Sequence, residues 1–219
     1  MAERKKPQGR KGPIRISDVG LEWAIIDFPG EKAARELMIA EMFVRAANRL
    51  IMYPSAEQPS YVPFSELIQN AENDVDFTIN TGRGVKRLEV TEFAPLYQHG
   101  PRFEDAPRQL DQGTKSDLLL ELLRKKSARQ GGANRLLLVY VTEQGFWIDP
   151  ITIEIVRRAL SHESPQFERV YFVSPHSITA GMVWEIFPGT PHPFFATLND
   201  HDLRRRQARF PHPEDFSEE

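Results

Sequence analysis

The 219-residue chain contains no cysteine. Disulfides, zinc knuckles, thiol catalysis and iron–sulfur clusters are thereby excluded, and a reducing compartment is compatible with the composition. No apolar run approaches the roughly 20 residues that a membrane-spanning helix needs. The N-terminus is charged and lacks the apolar stretch of a secretory signal, so a cytoplasmic protein is expected. There is no Gly-x-Ser-x-Gly elbow, and Gly82-Arg83-Gly84 is too short for a phosphate loop and does not open a helix. Histidines stand at positions 99, 162, 176, 192, 201 and 212, with no metal-ligand spacing among them. No internal repeat is visible.

Apolar residues make up 40% of the chain, enough to bury a core, and charged residues make up an ordinary 27%. The net charge of −3 is unevenly spread. Residues 1–15 hold Arg4, Lys5, Lys6, Arg10, Lys11 and Arg15 against Glu3, a local charge of +5 that leaves −8 on the remainder. Such a basic arm suits phosphate contact or simple solubility. The acidic body weighs against a purely electrostatic nucleic-acid binder. The length predicts a basic disordered tail over 1–15, a single α/β domain over 16–198 and a C-terminal tail over 199–219.

Along the chain, a short strand is expected near Leu21–Phe28, before Pro29-Gly30. A helix is expected from Glu31 to about Tyr53, with Leu37, Ala40, Phe43, Val44, Ala47, Leu50 and Ile51 on one stripe and Pro54 ending it. Phe64–Ala71 reads as a short helix. Val75–Asn80 and Val85–Phe93 read as a hairpin around Thr81-Gly82-Arg83-Gly84. The irregular stretch Ala94–Gly113 has the length of a functional or a disordered loop. Thr114–Gln130 is a predicted helix with Thr114 as N-cap, stopped by Gly131-Gly132. Arg135–Thr142 is nearly all apolar, as in a strand buried on both faces. A helix over Pro150–Ser161 and strands over Arg169–Ser174 and Met182–Phe187 follow. The expected fold class is therefore α/β, a mixed central sheet flanked by helices.

Chemistry concentrates on the hairpin. Val75, Phe77 and Ile79 alternate with Asp76 and Thr78, and Leu88 and Val90 alternate with Arg87, Glu89 and Thr91. With the apolar sets on the core, pairing through the turn brings Asp76 within reach of Glu89 or Thr91. Two adjacent carboxylates repel unless they share a proton or a cation, and hard oxygen ligands favour Mg²⁺ or Mn²⁺. The plain alternative is a turn-proximal aspartate and a salt bridge of Glu89 with Lys86 or Arg87. Glu92 points to the other face and reads as structural. On the preceding helix, Glu36 falls within about 40° of Ala40, Phe43, Ala47 and Leu50, a costly place for an acid unless it is paired or metal-bound. Lys115 shares a face with Leu118, Leu119 and Leu122, which turns it toward the sheet and suits either a catalytic lysine or one lying along the core's edge.

The stretch Asp76-Phe77-Thr78-Ile79, the glycine turn and Leu88-Glu89-Val90-Thr91 together resemble the active-site hairpin of the PD-(D/E)XK nuclease superfamily, in a branch reading Glu-Val-Thr. The resemblance spans roughly residues 31–142 and implies a restriction-endonuclease-like core. It implies Mg²⁺ (or Mn²⁺) held by Asp76, Glu89 and the backbone carbonyl of Val90, with Glu36 from the first helix as a further ligand. It also implies phosphodiester hydrolysis of nucleic acid, DNA ahead of RNA. Val75 replaces the proline before the aspartate, and Thr91 stands where the family has its lysine. Lys115 is then the replacement lysine, and Thr91 a hydrogen-bond partner of the attacking water. The competing expectation is an inactive nuclease-fold module that binds a protein or nucleic-acid partner. His99, beside Arg102, and Arg204–Arg206 are lesser candidates for substrate contact. Trp147 and Trp184 are expected in the core or at an interface.

Overall fold

The computed structural model describes residues 10–17, 20–49, 61–70, 75–96, 107, 110–130, 132–189, 192–195 and 197–205. Strands β1 (Arg10–Ser17) and β2 (Gly20–Ile26) form a two-stranded antiparallel sheet. The main sheet contains β3 (Ser65–Gln69), β4 (Phe77–Thr81), β5 (Gly84–Glu92), β6 (Arg135–Tyr140), β7 (Arg169–Pro175) and β8 (Gly181–Phe187), in that spatial order. Pairing is antiparallel from β3 to β5, parallel from β5 to β7, and antiparallel again at β8. The parallel steps require crossovers, supplied by helices α2 (Gln112–Gln130) and α3 (Pro150–His162). Helix α1 (Lys32–Asn48) precedes β3, and α4 (Asp200–Arg205) follows β8. The expected mixed α/β sheet is what the chain forms.

Two apolar layers clasp the sheet. Ile39, Phe43 and Ala47 of α1 pack on Leu88, Val90, Leu136, Leu138, Tyr140 and Tyr171. Leu119 and Leu123 of α2, with Ile153 and Val156 of α3, pack on Leu137, Val139, Phe172 and Ile186. Strand β6 sends alternate residues into both layers, which is why its sequence is apolar without interruption. The buried face of α1 runs through Glu36, Ile39, Ala40, Phe43 and Ala47. Leu37 and Val44 are only partly buried, and Leu50 and Ile51 lie outside the described residues.

Several sequence expectations need correction. Ser65–Gln69 is an edge strand and not a helix: Phe64 is fixed in the core, its N–H donating to Asn48 Oδ1 at 2.8 Å, and the segment then pairs with β4. Helix α2 starts earlier than Thr114, because Asp111 supplies the cap: its carboxylate accepts from the Thr114 N–H at 2.8 Å and from the Thr114 hydroxyl at 2.6 Å. Arg10–Arg15 belong to β1 and not to a tail. Residues from Asn199 are not wholly a tail either, since Leu203 of α4 is fully buried and Arg204 pairs with Asp117 of α2 at 2.9 Å. The hairpin turn matches its glycines: Thr81 pairs with Gly84, whose φ of +89° suits glycine.

Asp149 ties the two crossover helices together. It caps α3 by accepting from the Thr152 N–H at 2.9 Å, and it accepts from Lys115 Nζ of α2 at 2.8 Å. Both charged groups are buried. Asp149→Ala strands a buried ammonium and removes a cap, so it is expected to cost about 3–5 kcal/mol in urea denaturation. Lys115→Met is expected to cost less, because Asp149 keeps its donors from Thr152.

Candidate functional site

The site grows from the way β4 leaves β5. Ladder pairing ends at Phe77 opposite Leu88, and the same register sets Asp76 opposite Glu89. On that edge of β5, the next N–H belongs to Val90. It donates to Asp76 Oδ2 at 2.7 Å, so a side chain stands where the ladder stops. The N–H and C=O of one strand residue point to the same edge, and the Val90 carbonyl therefore opens toward Asp76.

Glu89 projects to the α2 face, 5% exposed, with Lys126 Nζ 3.2 Å from its Oε1. Burial, and then the neighbouring Asp76 charge, push its carboxyl above the usual carboxylate range, while Lys126 opposes the shift. Glu36 comes from α1 on the other side of the sheet and is equally buried. Its Oε1 lies 3.4 Å from Nζ of the exposed Lys32. Burial and, after it, Asp76 push the Glu36 carboxyl up from 4.5 to about 7. Asp76 thus stands within electrostatic range of acids from both layers, and Lys32 acts on both Glu36 and Glu89. The structure thus sets Asp76 against the Val90 backbone and within electrostatic reach of both Glu36 and Glu89.

The other expected residues fall out differently. Thr91 is buried two residues beyond Glu89 on the same strand face. Lys115 is not at the hairpin: it is locked to Asp149 and to the Trp147 carbonyl at 3.0 Å. Its place is taken by Lys126, eleven residues or about 16 Å further along the helix axis. Continuing the stripe 115, 118/119, 122 by one more turn reaches 126, so the signal for Lys126 was in the periodicity. Lys32 had the weaker signal of standing four residues before Glu36. Glu92 faces α1 as expected, accepting from the Thr142 hydroxyl and lying 4.0 Å from Arg35. Lys86 pairs with Glu168 and not with the site acids. Trp184 lies in the core, and Trp147 packs against His176. Arg204 is engaged by Asp117, while His99, Arg102 and Arg206 lie outside the described residues.

The donor types suit a hard divalent cation: two carboxylates opposite in register, a backbone carbonyl on the same edge, and a third acid close enough to feel the Asp76 charge. Among the described residues, no three His, Asp or Glu side chains already stand as a closed metal-holding group. No described helix is long and apolar enough to cross a membrane. No protein-family model matches the chain, and no curated protein or solved structure is found to be similar to it.

Glu36 gives the site a pH signature. In the unfolded chain it loses its proton near the ordinary 4.5, and in the folded protein only near 7. Its contribution to stability is therefore complete below about pH 4.5 and is lost as the pH rises through about 7. In metal-free buffer, Glu36→Gln is expected to flatten the fall in stability between pH 5 and pH 8. It should stabilise the protein at pH 8 by on the order of 2 kcal/mol, read by chemical denaturation at both pH values. An unchanged slope would refute the assignment.

Proposed function

We propose that the chain is a divalent-metal-dependent phosphodiester hydrolase of nuclease type, working where β4 splays from β5. The observation that carries this reading is Asp76 opposite Glu89 across the end of the ladder, with the Lys126 ammonium drawn onto Glu89. The order α1, β3, β4, β5, α2, β6, with β6 parallel to β5, agrees with the PD-(D/E)XK organisation that the hairpin sequence resembles. Strand β3 fills the place of the first strand, which the proline-rich sequence around it obscures.

In this reading Asp76, Glu89 and the Val90 carbonyl hold Mg²⁺ or Mn²⁺, with Glu36 beside them. The ion supplies charge neutralisation at the scissile phosphate and acidifies water. Lys126 replaces the lysine missing at Thr91: its ammonium, on Glu89, is placed to donate to a phosphate oxygen or to orient the attacking water. Glu36, buried within reach of the Asp76 charge, would serve as an outer ligand or position the water on the ion. Thr91 adds a hydroxyl on the Glu89 face. Nucleic acid is the proposed substrate, DNA ahead of RNA.

The competing reading is a nuclease-fold module without catalysis. It is favoured by Thr91 in the lysine position and by the absence of a closed three-acid group among the described residues. Labelled single- and double-stranded DNA and RNA, incubated with the purified chain in Mg²⁺, Mn²⁺ or EDTA, separate the two. Cleavage is expected only with metal and is expected to vanish in Asp76→Ala and Glu89→Ala. Lys126→Ala is expected to slow it by roughly 10²-fold, as for loss of one charge-stabilising donor. Lys115→Met is expected to change stability and not rate per folded molecule. A folded wild-type chain that neither binds Mn²⁺ nor cuts any of these substrates sinks the enzyme reading and favours the module.

A further inference from the structure

Far from the carboxylates, a cleft of about 240 Å³ opens between α3, β8 and the short helical turn Pro193–Phe195. Strand β8 is three strands from β5, about 14 Å across the sheet, so the cleft is separate from the hairpin site. Its walls are Ile153, Trp184, Phe194 and Phe195, and the two phenylalanine rings meet edge-on at 5.1 Å. Phe194 is 70% exposed, unusual for a large apolar side chain, and it forms a rim.

The wall contains one buried cation. Arg157 is 5% exposed, and its Nε and Nη2 both donate to the neutral carbonyl of Glu185, at 2.9 and 2.5 Å. Glu154 also lines the cleft, but its oxygens are committed to Arg158 Nε at 3.1 Å and to the His192 N–H at 2.9 Å. Among the described residues, no carboxylate is ion-paired with Arg157. The guanidinium thus faces one carbonyl and feels the Glu154 charge from beyond ion-pairing distance, an incompletely matched charge that a carboxylate satisfies well.

The geometry points to a binding site for a small aryl monocarboxylate, its carboxylate on Arg157 and its ring between Trp184, Ile153 and the phenylalanine pair. The neighbouring Glu154 charge disfavours dianions such as phosphate monoesters. The volume lies below the 300 Å³ or so of drug-sized pockets, which limits the ligand to a single ring system with a short acid arm. The rim is built in advance: the Phe194 N–H donates to His192 Nδ1 at 3.1 Å, and the His192 backbone is pinned to Glu154.

Calorimetric titration of the full chain with 3-phenylpropionate and indole-3-acetate tests this, with 3-phenylpropionamide and inorganic phosphate as controls. The acids are expected to bind at least about tenfold more tightly than the amide, with phosphate silent. Phe194→Ala removes an exposed side chain and is expected to leave the fold intact while weakening the acids about fivefold. Arg157→Met should abolish the preference for acid over amide. If that variant does not fold, the acid–amide pair on the intact protein and Phe194→Ala still decide. Equal binding of acid and amide, no binding of either acid up to about 10 mM, or unaltered affinity in Phe194→Ala overturns the inference.

Discussion

The hydrogen bond from the Val90 N–H to Asp76 Oδ2 is the constraint on which the candidate site depends. A strand that ends its ladder next to a continuing neighbour leaves backbone donors on that neighbour's edge, and burying them without partners is costly. Here the first donor past the last pair is met by a carboxylate. One contact ends the β4–β5 pairing, fixes the Asp76 side chain beside the sheet, and turns the Val90 carbonyl to the same gap. Acidity at this point is a consequence of how the sheet stops, and Glu89 across the gap follows from register alone.

Much of the fold was legible because its signals were redundant. The β6 run Leu136–Tyr140 reads as a strand covered on both faces, and α1, which covers one of them, shows clear periodicity. The hairpin was legible from Gly82 and Gly84 and from the β-branched residues beside them. The failures share a cause: they occur where tertiary contact overrides local pattern. Ser65–Gln69 has no strand alternation, with only Leu67 partly covered; pairing to β4 at the sheet edge makes it a strand. Arg10–Arg15 reads as a charged tail until β2 pairs with it. Arg204 reads as one of a solvated basic run until Asp117 on α2 is set opposite.

The site divides along the same line. Asp76, Glu89 and Glu36 were legible because strand register and helix periodicity are local rules that carry across a turn or along one helix. The lysine was misplaced because α2 offers two on the same stripe, Lys115 and Lys126, and local pattern cannot choose between them. The choice was made by Asp149, some twenty residues beyond the end of α2, which is the N-cap of another helix. An anionic cap buried beside the start of α2 binds the first lysine and leaves the second to the hairpin.

That division of the two lysines has an electrostatic logic. Glu36 from α1 and Glu89 from the hairpin both feel the charge of Asp76, and burial raises the cost of charging Glu36 and Glu89. Lys32 and Lys126 answer two of the three, at 3.4 and 3.2 Å from Glu36 and Glu89, and a proton on Glu36 near pH 7 offsets the remainder. Asp76 pairs with no lysine among the described residues and accepts a backbone N–H. A divalent cation settling there would meet the acid that the ammonium groups leave uncovered. Its charge would lower the Glu36 carboxyl toward the ordinary range, releasing a proton on binding.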